Sequence, residues 1–177
     1  PSLTATFMRM MTSRYPDLHF DFHAHNDYDL AAANVLAAVM EGCCGVHTAV
    51  NGLGERAGNA PISSVQAILN DHARVHTHIK EEQLGKAASL VESLSGIAIP
   101  PNKPIVGDSV FTQVAGVHAD GDKKNNLYCN DLLPERFGRK REYALGKNSG
   151  KANILKNLEE LGLELTSEQT RRVTDRI

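Results

Sequence analysis

Between residues 18 and 51 the apolar pattern of the chain changes period twice, and that constrains the fold more than any other feature. Leu18, Phe20, Phe22 and Ala24 alternate with His19, Asp21, His23 and His25, the period-two pattern of a half-buried strand. Residues 30–41 are alanine-rich and carry Val35, Leu36 and Val39, with Gly42 placed as a C-terminal cap, so they read as a helix. A second strand reading, Gly45 to Asn51, follows at once. Strand, helix and strand in so short a span form a right-handed βαβ unit with parallel strands. The expected fold class is therefore α/β.

His23 and His25 share one face of the first strand with His19 and Asp21, just ahead of the polar turn Asn26-Asp27-Tyr28-Asp29. Two readings of this H-x-H stand side by side: ordinary histidines of a half-buried strand, or half of a site for a divalent metal. The second strand runs into Asn51-Gly52-Leu53-Gly54-Glu55-Arg56-Ala57-Gly58-Asn59-Ala60-Pro61, where three glycines in seven residues impose a loop. Both polar motifs thus fall at the C-terminal ends of successive parallel strands, the edge at which α/β folds carry out their chemistry.

The remaining segments organise around this unit. A helix is expected from about Ser2 to Ser13, burying Phe7, Met8 and Met11, another from Ile62 to about His78, and a third from Glu81 to about Ser95. His72 and His76 stand at i, i+4 without the H-E-x-x-H pattern, which makes them surface or capping histidines. Three prolines in Pro100-Pro101-Asn102-Lys103-Pro104 predict an extended linker, so the expected division is 1–95, a linker at 96–107, and 108–177. In the last part the pattern predicts a helix from Val110 to about Ala119, polar turns at 120–126 and 146–150, and two closing helices, Lys151–Leu161 and Ser167–Ile177. The second is started by a Thr166/Gln169 capping box. The Arg136, Arg139, Lys140, Arg141 cluster reads as a solvated basic face.

Composition excludes several classes of function. A net charge of -2 from 19 basic and 21 acidic residues, interspersed, offers no field for nucleic acid or a membrane surface. No apolar run approaches the ~20 residues of a spanning helix, and no signal-peptide pattern is present; a cytoplasmic location is the expectation. Cys43, Cys44 and Cys129 form no C-x-x-C pair, so they read as reduced thiols, the first two packed at a helix end. The chain opens on Pro1-Ser2-Leu3 already in helical pattern, which reads as a piece of something longer.

Taken together, His23-Ala24-His25-Asn26-Asp27 and the Asn51–Asn59 loop closely resemble the 2-isopropylmalate synthase family, which includes citramalate and homocitrate synthases and, more distantly, 3-hydroxy-3-methylglutaryl-CoA lyase. Phe111 to Gly121, Asn126-Leu127-Tyr128 and Leu145 to Gly150 look like the family's helical subdomain, so the likeness covers nearly the whole chain. It implies the last two βα units of a (β/α)8 TIM barrel followed by a mostly α-helical subdomain. It also implies a divalent metal (zinc, manganese, magnesium or cobalt) held by His23 and His25 with Asn59 at or beside it, and acetyl-CoA condensed with a small 2-oxo acid. Within the family 2-oxoisovalerate, the substrate of leucine biosynthesis, is the first expectation, and citramalate or homocitrate synthesis is the alternative. His118, Asn126 and Tyr128 match catalytic residues delivered from the neighbouring protomer of a homodimer, while Asp27 and Glu55 read as supporting residues. Asp29 stands where the family usually has glycine. The family's early Asp-Arg-Glu segment has no counterpart, so the chain is expected to be a C-terminal piece, inactive alone; a non-catalytic dimerisation or regulatory module is the reading from another class.

Overall fold

A computed structural model describes residues 1–113, 131–145, 151–163, 165–174 and 176, which divide into two compact units, Pro1–Gly107 and Asp108–Ile177. In the first unit, strand β1 (Asp21–His23) pairs in parallel with β2 (Gly45–His47), in the register Asp21 to Gly45, Phe22 to Val46 and His23 to His47. Helix α2 (Ala31–Met40) connects them, as the change of period demands. The ladder is shorter than the apolar alternation suggests because a third segment enters between the strand ends. The Ala60 amide donates to the Ala24 carbonyl and the Ala49 amide to the Ala60 carbonyl, so the returning loop takes up hydrogen bonds the strands would otherwise make with each other.

Alternation along β1 matches the period: Phe22 and Ala24 turn inward, while Asp21, His23 and His25 stay exposed. The inward face builds a core of Ala24, Ala31, Val35, Ala60, Val65 and Leu69, with Phe22, Leu36, Val39 and Val46 packed against it. Helix α1 (Ser2–Arg14) buries Met8 alone, against Ala38 and Cys43; Phe7, expected inside, is 54% exposed. Polar bonds attach α1 to α2: Arg9 pairs with Glu41, Thr12 donates to the Glu41 carbonyl at 3.0 Å, and Thr4 reaches Asn34 at 3.1 Å. Cys43 is buried as expected, whereas its neighbour Cys44 is exposed.

Three expectations need correction in this unit and the next. Helix α3 (Ile62–Ile68) widens into a π turn at Leu69–Ala73 and stops at Arg74, which is left-handed at φ 55. The helix ends early because the chain folds back: the Val75 amide donates to the Leu69 carbonyl, and Thr77 donates to the buried Gln66 at 2.7 Å. His76 therefore lies beyond the helix, 2.9 Å from Asn70 Oδ1, and is not stacked over His72. After α4 (Leu84–Ser95), residues 100–107 are not extended. Lys103 donates back to Pro100 and Gly107 to Lys103, and Ile105 and Val106 are buried; proline suits tight turns as well as extended chain.

In the second unit, Thr112–Gln113 form β3, parallel to β4 (Glu142–Tyr143), where a helix was expected. The β-branched and aromatic Val110-Phe111-Thr112 run favours the strand; the rest of that segment, 114–119, lies outside the described residues, as do both polar turns at 120–126 and 146–150. Helices α5 (Lys151–Glu160) and α6 (Ser167–Thr174) close the chain. The capping box is present, with Gln169 N–H on Thr166 Oγ1 at 3.3 Å and Thr166 N–H on Gln169 Oε1 at 2.9 Å. Arg136 and Arg139 are not simply solvated: their guanidinium groups lie over Phe137 and Phe111, at 5.2 and 5.3 Å. Among the described residues no helix is long and apolar enough to cross a membrane.

Candidate functional site

The polar residues collect at the C-terminal edge of β1 and β2. Because His23 and His25 are two apart on an extended backbone they share a face, and their rings meet edge to face with centroids 4.9 Å apart. Parallel register then adds a residue that H-x-H spacing does not reveal. His47, directly across from His23, has its ring centroid 5.7 Å away. By its sequence His47 is only one residue of the expected Gly45 to Asn51 strand; counting the register from the two strand starts is the signal that finds it. Below them, Asp21 Oδ1 lies 2.7 Å from His19 Nε2 and Oδ2 lies 3.5 Å from His47 Nε2. Gly45 makes room for that carboxylate, since a Cβ there would stand 2.0 Å from Asp21 Oδ1.

The glycine loop returns against β1 as a short antiparallel seam. His25 bridges to Asn59, the Asn26 amide donates to the Gly58 carbonyl at 2.9 Å, and the Ala60 amide donates to Ala24. Asn59 packs under Gly54, where a Cβ would come within 2.2 Å of its Nδ2. Its side-chain amide donates to the Leu53 carbonyl at 3.1 Å, which fixes which way the amide faces. The other end, Asn59 Oδ1, is buried and has no hydrogen-bond partner. A buried acceptor left unpaired costs free energy, and a cation is one partner that would satisfy it. Asn51 Oδ1 is also unpartnered, while its amide donates to the Ala88 carbonyl at 2.9 Å.

Two further contacts order the loops. Arg56 grips Asp27 through two hydrogen bonds, 2.8 and 3.0 Å, and this fork holds the Asp27 carboxyl below the usual carboxylate range. Asn26 accepts from the Ala31 amide at 3.0 Å, capping α2, and its own amide donates to Asp29. Asp29 is left-handed at φ 57, a conformation natural to glycine that aspartate tolerates better than most residues. Glu55 is exposed. Among the described residues no three His, Cys, Asp or Glu side chains converge to hold a metal. The donors offered at this edge are the His23 and His25 imidazoles and, on the residue bridged to His25 through the backbone, the unpartnered Asn59 amide oxygen. His118, Asn126 and Tyr128 lie outside the described residues.

Fold and site together define an α/β protein built on a βαβ unit, with its polar residues gathered at the carboxyl edge of a parallel strand pair. Residues 1–91 match the HMGL-like family and residues 105–177 the homocitrate synthase post-HMGL domain-like family. The chain belongs to the HMGL-like family, and its first part is thereby part of a TIM barrel. It is 44% identical, over all 177 residues, to a homocitrate synthase of Sulfolobus acidocaldarius and 39% identical over the same span to one of Saccharolobus islandicus. Over 161 residues, 91% of the chain and 32% of the relative, it is 40% identical to a Methanopyrus kandleri protein carrying the name (R)-citramalate synthase CimA. The chain spans 38% of the length of the two homocitrate synthases.

Proposed function

We propose that this chain is the closing part of the catalytic barrel, with the subdomain after it, of a synthase that condenses acetyl-CoA with a small 2-oxo acid. The observation that carries the reading is the buried, unpartnered Asn59 Oδ1, on the residue whose backbone bridges to His25 at the carboxyl edge of two parallel strands. His23, His25 and Asn59 would hold a divalent ion, and two imidazoles with an amide oxygen suit zinc, cobalt, manganese or magnesium. Such an ion, when bound, acts as a Lewis acid on the 2-oxo acid. The acetyl methyl gives up a proton to a base, the resulting enolate carbon bonds to the ketone carbon while the ketone oxygen takes up a proton, and water cleaves the thioester to release CoA. His118, Asn126 and Tyr128 serve proton transfer and enolate stabilisation, supplied across a homodimer.

Exposed apolar surface supports the incompleteness of the barrel in this chain. Leu3, Phe7 and Met10 form one stripe on α1, and Leu90, Leu94 and Ile97 another along and just past α4, so the first and last helices of the Pro1–Gly107 unit each offer an apolar flank to a neighbour. The sheet face carrying His23, His25 and His47 is uncovered, and a parallel sheet is covered on both faces in stable domains. Further βα units would bury all three surfaces and supply the missing metal donors.

The names of the relatives bring 2-oxoglutarate and pyruvate forward as substrates beside 2-oxoisovalerate. Free thiol is measured after mixing the full-length protein with acetyl-CoA, a divalent metal and each 2-oxo acid in turn. One acid is expected to release CoA in a metal-dependent way. Release with none of the three overturns the reading.

A further inference from the structure

The Asp27–Arg56 pair is too exposed, at 42% and 55%, to be explained by stability, because ion pairs in water contribute little. Its placement is the informative part. Asp27 follows His25 by two residues and Arg56 precedes Asn59 by three. The cross-loop contacts of the seam start next to the pair and run away from it: Asn26 to Gly58, His25 to Asn59, Ala24 to Ala60. The two-pronged guanidinium contact closes the open end of that seam. Arg56 adopts φ 56 to make it, a left-handed backbone that a long side chain rarely takes up. A strained residue holding a bidentate contact fixes both distance and angle, which a lysine or a single hydrogen bond does not.

We infer that Asp27 and Arg56 are positioning residues: their pair clamps the two loops so that Asn59 Oδ1 and the His25 imidazole face one cation. This rests on the metal reading under Proposed function and goes beyond it, by assigning the site's grip to an ion pair that touches neither metal nor substrate. Reversal of the pair is a clean probe, since aspartate at position 56 suits the left-handed backbone better than arginine does.

Cobalt(II) binding to the full-length protein is followed by its visible absorption and by calorimetry, with thermal unfolding measured alongside. Asp27→Asn and Arg56→Lys are each expected to weaken cobalt binding about 10–100-fold, as loss of a partner that orients metal ligands does, with the unfolding midpoint nearly unmoved. The exchanged pair, Asp27→Arg with Arg56→Asp, is expected to recover most of the loss. Arg56→Lys keeps the charge and so keeps a folded protein available. Single variants that bind cobalt as tightly as the parent overturn the clamp and leave the metal site standing, and loss that the exchanged pair does not recover also overturns it. A parent protein that binds no cobalt overturns the metal reading, and the clamp with it.

Discussion

His23 and His47 stand directly opposite each other across the parallel ladder, their ring centroids 5.7 Å apart, and both face away from the helices. Neither side chain is part of the core, since the inward positions of β1 belong to Phe22 and Ala24. Substituting such exposed residues leaves stability within about 0.5 kcal/mol. In this chain free of metal, His23→Ala or His25→Ala should leave thermal unfolding nearly unchanged; in the full-length protein each should abolish bound metal, measured by elemental analysis, and with it the stabilisation that bound metal adds. His47→Ala should weaken metal retention less, because His47 touches the ring of a ligand and supplies none of the proposed donors.

Gly54 has no room for a side chain. Its Cβ would lie 2.2 Å from Asn59 Nδ2, and that amide is already held by Leu53. Gly54→Ala must push Asn59 aside, at a cost of about 1–3 kcal/mol, read by denaturant unfolding. Metal affinity should fall with it, since the displaced group is the one whose Oδ1 lacks a partner.

Val35 is fully buried in the middle of α2, packed with Ala24, Ala31 and Val65. Val35→Ala removes two methyl groups from a closed space and should cost about 1.5–3 kcal/mol. The loss should appear as a lower denaturant midpoint with an unchanged slope.

Arg9 holds the Glu41 carboxyl below its ordinary value of 4.5, chiefly through a side-chain hydrogen bond. A carboxyl whose value is lower in the folded chain than in the unfolded one adds stability above the unfolded value and loses it as pH falls through the folded one. The stability difference between the parent and Glu41→Gln should therefore be present at neutral pH and shrink on acidification below 4.5. Unfolding curves across that range check it, and a difference that grows on acidification would contradict the assignment.

Local signals were legible because they depend on neighbours in the chain. Period-two and helical patterns placed β1, α2 and β2, the spacing of Thr166 and Gln169 placed the cap of α6, and H-x-H put His23 and His25 on one face. The early end of α3 was not legible, because it is decided by Thr77 returning to the buried Gln66. The same holds for the compact turn at 100–107, where burial of Ile105 and Val106 outweighs the extended preference of a proline-rich segment.

By itself the sequence determined the βαβ unit, the two polar motifs and the family to which they belong. Tertiary structure decided which of those residues meet. Only the parallel register sets His47 against His23, and only the seam formed by the returning loop bridges Asn59 to His25 and leaves Asn59 Oδ1 buried without a partner. The physical reason is that periodicity is written in near neighbours, whereas register and an unsatisfied buried acceptor depend on segments about 25–35 residues apart, brought together by the burial of the core between them.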